Sequence, residues 1–270
     1  MATDAPPEAP TPASDRDYKP TELMAICAAR EIRDGEIAFI GTGLPMLGGM
    51  LAKATHAPNC VMVFESGVVD ARPKRTPLSI GDACLVPGSV MLGGLTEVFG
   101  LLLQPGHVDV CYIGGAQIDR FGNLNTTVIG DYRRPKVRLP GSGGGNDIGS
   151  LAKRTIIMMK QDARKFVEKV DYVTTPGWVD GPGGRERVGL PRGGPSAVIT
   201  DLGVYRFEPD TKEMILESTH PGVTVDQVKA NVSWEIRVPA RVRTTKPPTK
   251  RELRILRTKL DPEGIFLGGA

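Results

Sequence analysis

Cysteine and histidine are scarce in this chain, and neither sign of charge dominates. Four cysteines stand among 270 residues, Cys27, Cys60, Cys84 and Cys111, with no C-x-x-C pair. That spacing excludes a zinc ribbon or a dithiol redox motif. Free, buried thiols in a reducing cytoplasm are expected instead. The three histidines, His56, His107 and His220, occupy loop-like contexts and are expected at the surface rather than as catalytic bases. The formal net charge is +3 with the signs interspersed, which excludes a dedicated nucleic-acid surface, although residues 239–270 are locally basic. No apolar run of about 18 residues exists, so no membrane-spanning helix is expected. No repeat with a period of about 20–50 residues is visible. The first 17 residues are rich in proline, alanine and aspartate and lack both a basic start and an apolar segment. They read as a disordered tail rather than a leader.

What is present is an ordinary globular composition, 40% hydrophobic and 24% charged, enough for one large α/β domain or two small ones. A helix is expected after Thr21 as N-cap, stopping near Asp34-Gly35. Strand-like segments follow at 36–40, 60–64, 83–86, 108–113, 124–129, 155–159 and 172–174, with helix-like stretches between, notably 91–103. Their continuous apolar runs predict strands covered on both faces. The fold class is therefore α/β, with a largely parallel or mixed open sheet and helices on both sides. Residues 197–200, 204–208 and 213–217 predict a small antiparallel meander near the C-terminus. Thr224 and Gln227 have capping-box spacing for a short helix. The last 32 residues read as a basic connector and a solvated or partner-facing helix over about 250–260, ending at Asp261-Pro262. The domain proper is thus placed at 18–238.

Two stretches carry chemistry. Val61-Met62-Val63-Phe64 is a buried strand that runs directly into Glu65 and turns at Ser66-Gly67. A carboxylate there is costly unless it is paired, hydrated or used, and strand carboxyl ends in open α/β sheets are where ligands bind. A helix cap or a partner for an arginine is the plainer alternative. Gly141-Ser142-Gly143-Gly144-Gly145-Asn146-Asp147 offers backbone N–H groups with no side chains in the way. It reads either as an oxyanion site or as a flexible turn before a helix capped by Asn146 or Asp147. Gly41-Thr42-Gly43-Leu44-Pro45 departs from the G-x-G-x-x-G fingerprint at Met46 and reads as a tight turn. Gly114-Gly115-Ala116 reads as close packing.

Phe64-Glu65-Ser66-Gly67, Ile113 to Asp119 and the run from Gly141 to Asn146 resemble class I coenzyme A transferases. Gly130-Asp131-Tyr132 and the stretch from Thr175 to Arg187 are further similar to the β subunit of the glutaconate type. The likeness extends from about residue 18 to about residue 267. It implies transfer of coenzyme A between carboxylic acids, with Glu65 as nucleophile and the Gly144 amide as oxyanion donor, shaped by Gly143 and Gly145. It also implies coenzyme A as substrate and covalent intermediate, no permanently bound cofactor and no metal. An α subunit is implied as partner in a hetero-oligomer. Glu65-Ser66-Gly67 in place of the Glu-Asn-Gly of the 3-oxoacid branch implies a dicarboxylic or otherwise bulky acyl group. Arg185 and Arg187 could meet a substrate carboxylate or the phosphates of coenzyme A, or pair with Glu186 or with the partner. A hydrolase, a decarboxylase or a ligand-sensing subunit on the same scaffold are the rival readings.

Overall fold

The computed structural model describes residues 17–190 and 193–268. Most of the expected tail lies outside them. Helix α1 (Pro20–Glu31) opens with proline at its first position, where the missing N–H costs nothing. Lys19, not Thr21, precedes it, and the Glu22 carboxylate turns back to accept the Lys19 N–H at 2.8 Å. Strand β1 (Ile37–Ile40), helix α2 (Leu44–Ala54) and strand β2 (Val61–Phe64) follow. Two short strands, β3 (Val68–Val69) and β4 (Met91–Leu92), complete that edge. A π-helical segment, Glu97–Leu103, then leads to β5 (Val110–Ile113). Next come β6 (Gln117–Ile118), β7 (Leu124–Asn125), β8 (Val128–Gly130) and β9 (Pro135–Arg138). Helix α3 (Gly145–Leu151), β10 (Arg154–Met158) and the single turn α4 (Gly184–Arg187) precede a run of three strands. These are β11 (Pro195–Ile199), β12 (Gly203–Phe207) and β13 (Met214–Thr219). The chain ends with α5 (Val225–Ala230), β14 (Arg243–Thr244) and α6 (Lys250–Ile255), which continues as a π-helical turn to Leu260.

Ten strands form one sheet in the order β14-β13-β12-β11-β10-β5-β1-β2-β3-β4. Its centre, β11-β10-β5-β1-β2, is parallel throughout. Antiparallel pairs extend it on both sides, β11/β12/β13 and β2/β3/β4. The expected meander is therefore an extension of the main sheet. Alternation along the parallel strands sorts the core. Ala38, Ile40, Met62, Phe64, Val110 and Tyr112 face α1, α2 and α6. Phe39, Val63 and Cys111 face the π-helical segment and Ile148 of α3. With a side-chain period of two, Glu65 falls in line with Val61 and Val63, toward α3.

Several expectations change. The 83–86 segment is a 3-10 turn, because Asp82 caps it by accepting the Cys84 N–H at 3.0 Å. The 124–129 segment splits into β7 and β8, in two separate two-stranded sheets. Asn125 Oδ1 accepts the N–H groups of Thr127 and Val128 and turns the chain between them. Residues 172–174 form no strand. The 91–103 stretch divides into strand and π-helix. His220 is buried, with its ring nitrogens bonded to Thr245 Oγ1 at 3.0 Å and Thr200 O at 2.8 Å. Burial lowers its pKa, so it serves as a neutral structural bridge. Cys27, Cys60 and Cys111 are buried and Cys84 half-buried, all four free. The C-terminal helix is not solvated: Leu253, Ile255, Leu256 and Leu260 join the core beside α1. Arg257 meets Glu22 at 2.6 Å and Arg30 meets Glu252 at 2.9 Å. No described helix is long and apolar enough to cross a membrane.

Candidate active site

Glu65 follows β2 in a tight turn closed by the Gly67 N–H donating to Phe64 O at 2.9 Å. The turn cannot be built otherwise. Gly67 has φ +103, and a Cβ on it would sit 2.1 Å from Gly93 O. The Ser66 hydroxyl donates to Ile80 O at 2.6 Å, so this side chain fastens the turn and leaves the carboxylate as its free end. Glu65 is half-buried.

The strand order reverses between β1 and β5. The chain runs from β1 outward to β2, then returns to the other side of β1 and proceeds through β5, β10 and β11. The crevice at such a reversal, beyond the strand carboxyl ends, is the ligand site of open α/β sheets. A cavity of about 580 Å³ lies there. Its walls are Gly41, Thr42 and Pro45 after β1, Glu65 after β2, Ile113 to Ala116 at and beyond the end of β5, and Leu139 to Gly145. The stretch expected as a tight turn, 41–45, and the one expected as close packing, 114–116, thus both contribute walls. Close packing holds as well, since a Cβ on Gly114 would stand 3.1 Å from Met158 O. A second cavity, about 470 Å³, opens at the start of α1 beside Met24, Leu44, Met158 and Met159, and Glu65 is not among its lining residues.

The glycine run is anchored rather than flexible. Gly141 donates to Thr126 O at 2.8 Å and accepts the Thr126 hydroxyl at 2.7 Å. Gly141 and Gly143 have positive φ, +100 and +48. Gly145 commits its N–H to Ser142 O at 2.8 Å, and α3 starts with Ile148 donating to Gly144 O at 2.9 Å. The N-cap of α3 is therefore Gly144, not Asn146 or Asp147. Among the described residues the Gly144 N–H has no partner within the chain. A Cβ on Gly144 would lie 3.2 Å from Glu65 Oε1 and 2.4 Å from Phe99 Cζ. The carboxylate and the glycine turn, 79 positions apart, thus face each other. Phe99, set edge-on against Phe39 with ring centroids 5.3 Å apart, covers them from the π-helical segment. Sequence reasoning missed Phe99, because a single phenylalanine in an apolar run carries no local signal.

Arg185 and Arg187 are not brought to this cavity. Arg185 is 2% exposed. Its guanidinium donates to Gly177 O at 2.9 Å and Pro176 O at 3.3 Å, and to Gly149 O at 3.0 Å and Ser150 O at 3.1 Å. Burial lowers its pKa. The expectation that Arg185 meets substrate gives way to a structural role: it holds the carboxyl end of α3, where a cation is favoured by the helix dipole, and so fixes the helix that begins beside Gly144. Arg187 is exposed and pairs with Asp180 and with Pro182 O. Its pairing is with Asp180 rather than the expected Glu186.

A half-buried carboxylate beside a glycine turn at an α/β switch point suits covalent acyl transfer. The coenzyme A transferase profile matches residues 21–231, and the chain belongs to that family. It is 45% identical over 240 residues to the B-type subunit of 3-oxoadipate CoA-transferase from Pseudomonas knackmussii, covering 89% of this chain and 92% of that one. It is 39% identical over 259 residues to the B-type subunit of glutaconate CoA-transferase from Acidaminococcus fermentans, covering 93% and 96%. The crystal structure of the latter enzyme superposes with a TM-score of 0.89 at 37% identity, over 94% of this chain and 99% of that chain.

Proposed function

We propose that the chain is the nucleophile-bearing β subunit of a heteromeric transferase, cytoplasmic, that moves coenzyme A between dicarboxylic acids through a thioester on Glu65. The observation that carries this reading is the approach of Glu65 Oε1 to the Gly144 backbone, whose N–H has no partner among the described residues. The names of both transferase relatives support the dicarboxylic acyl group and an α-type partner.

Glu65 attacks the thioester carbonyl of the donor, and the C–S bond breaks to give a mixed anhydride and the coenzyme A thiolate. The thiolate then attacks the glutamyl carbonyl. The donor acid leaves as its carboxylate, and coenzyme A remains as a thioester on Glu65. An incoming carboxylate reverses both steps. One thioester is exchanged for another, so the equilibrium is near balance and needs no external energy source. Each attack passes through an oxyanion, and a fixed amide donor at that position contributes on the order of 10²–10³ in rate. The positioned thiolate outcompetes water by its effective concentration.

The test uses the enzyme assembled with its α partner, given acyl-CoA and no acceptor. Mass spectrometry of the peptide spanning Val61–Gly67 should show coenzyme A on Glu65, and hydroxylamine should inactivate only after acyl-CoA is added. Glu65→Gln should abolish both adduct and turnover with the fold intact. Near-normal exchange by Glu65→Gln would reduce Glu65 to a structural cap. Steady release of free coenzyme A without acceptor would establish hydrolysis instead, and release of carbon dioxide with the thioester intact would establish decarboxylation.

A further inference from the structure

Among the described residues, those lining the cavity at Glu65 include no lysine or arginine. Acyl-CoA carries its negative charge at the far end of the pantetheine arm, on a pyrophosphate and a 3′-phosphate, so those charges must be met outside the cavity. One surface element has the required chemistry. The β8–β9 hairpin places Arg133, Arg134, Lys136 and Arg138 within the eight residues 131–138, every one of them exposed. Among the described residues none of these four cations forms an ion pair.

The carboxylates close to the hairpin are committed to backbone. Asp131 Oδ1 accepts the N–H groups of Arg133 and Arg134, each at 2.9 Å. Asp171 Oδ2 accepts the Gly130 N–H at 2.9 Å and the Gln117 side-chain amide at 3.1 Å. They organise the turn, and neither forms an ion pair with its cations. Arg138 is also committed: its guanidinium lies 4.9 Å from the Tyr132 ring centroid and donates to Tyr132 O at 3.1 Å. Arg133, Arg134 and Lys136 remain for a ligand.

Beside them two aromatic rings stack in the open. Tyr132 and Tyr172 have centroids 5.3 Å apart at an interplanar angle of 22°, with 53% and 39% of their surface exposed. With Arg138 and Tyr172 both against the Tyr132 ring, Tyr172 presents the exposed aromatic surface of the stack, and such a surface next to unpaired cations suits a purine ring and its phosphates. The hairpin is also joined to the cavity. Strand β9 runs straight into Leu139, Pro140 and Gly141 of its wall, and Leu139 donates to Thr127 O at 3.0 Å. At about 3.3 Å per extended residue, Lys136 stands roughly 10–16 Å along the chain from that wall. The pantetheine arm puts a separation of that kind between thioester and phosphates.

We propose that this hairpin is the nucleotide-end site for acyl-CoA, with the Tyr132–Tyr172 stack taking the adenine and Arg133, Arg134 and Lys136 taking the phosphates. The proposal rests on the cavity at Glu65 being the thioester site.

The test uses the assembled enzyme with Arg133, Arg134 and Lys136 together replaced by serine, and separately Tyr132→Leu. Three substrates are compared: acyl-CoA, its 3′-dephospho form and acyl-pantetheine. The triple variant should raise KM for acyl-CoA on the order of tenfold, with kcat little changed. The preference for acyl-CoA over the dephospho form should shrink, and KM for acyl-pantetheine, which offers these cations no phosphate, should stay at the wild-type value. The wild-type KM for acyl-CoA should rise with salt, and that dependence should weaken in the variant. Equal losses with acyl-CoA and acyl-pantetheine, or a fall in assembly mass on sizing, would overturn the proposal and make the hairpin a subunit contact. The Glu65 adduct is read separately. Its absence alongside an intact phosphate dependence would sink the mechanism and leave this site standing.

Discussion

Adding one methyl group at Gly144 should test the catalytic arrangement sharply. Gly144 has φ −79 and ψ 2, a conformation open to any L-residue, so backbone strain is not the obstacle. Contact is. The Cβ of Gly144→Ala would stand 2.4 Å from Phe99 Cζ, 2.9 Å from Phe99 Cε1 and 3.2 Å from Glu65 Oε1. Carbon atoms rest about 3.5–4.0 Å apart, so ring and loop must separate by about 1 Å. Phe99 is seated against Phe39, and part of the shift must therefore fall on the loop that carries the amide. Overpacking of this kind costs about 1–3 kcal/mol of stability. A 1 Å misplacement costs on the order of 10² in rate, and loss of the aimed amide brings the range to roughly 10²–10³. We expect kcat to fall by at least 10², about 2.7 kcal/mol in the barrier, with KM for acyl-CoA nearly unchanged. Steady-state kinetics of the assembled enzyme and the rate of adduct formation on Glu65 read this directly. Phe99→Ala in the same chain should restore most of the rate, because the closest obstructing atoms are then gone. A Gly144→Ala enzyme with near-wild-type kcat would refute the oxyanion assignment, and equal losses in binding and turnover would make the run a general binding loop.

Arg185→Met should destabilise the chain by about 3 kcal/mol, because it leaves the carbonyls of Gly149, Ser150, Pro176 and Gly177 without their shared donor. KM for acyl-CoA should hold in the surviving enzyme; a raised KM with an unchanged melting temperature would return Arg185 to the substrate. Asp119 is 4% exposed, and burial pushes its carboxyl up to about 6 against hydrogen bonds from Asn123 and Phe121. The folded state then holds a proton that the unfolded state has released, so this group's contribution to stability falls as pH rises from about 4 to 6 and levels off above. Denaturant titrations of Asp119→Asn across that window should lack a fall of about 3 kcal/mol that wild type shows; parallel curves would show that the carboxyl titrates normally.

The parallel core was legible because its signal is local. Val61, Met62, Val63 and Phe64 alternate between two helix layers, and that alternation alone sends Glu65 to the face where α3 lies. The helix starting at Val225 was legible in the same way, since the Thr224 hydroxyl and the Gln227 side chain cap it reciprocally. Long-range contacts were not legible. Arg185 looks solvent-directed in its Gly-Pro-Gly-Gly setting, but carbonyls at Pro176 and Gly177 and, more than 30 positions earlier, at Gly149 and Ser150 of α3 draw it inside. The 83–86 segment has strand composition but a cap in Asp82, and a local hydrogen bond overrides propensity there. The C-terminal helix looked basic and peripheral because its charges outnumber its apolar positions, although those positions reach the core.

The π-helical segment carries a consequence for how this site can change. Its bonds run i to i+5, as from Gln104 N–H to Phe99 O at 2.8 Å. Each hydrogen-bonded loop therefore encloses one residue more than in an α-helix. Loss of one residue between Gly100 and Leu103 would let the segment relax to ordinary α-helix and rotate what precedes the deletion by roughly 100°. Phe99 would swing away from Gly144 while composition and hydrophobicity stayed almost the same. Substitutions here are graded, whereas a change in length is all-or-none. The ring beside Glu65 and Gly144 can be adjusted residue by residue, but a change in the length of this segment moves it off both.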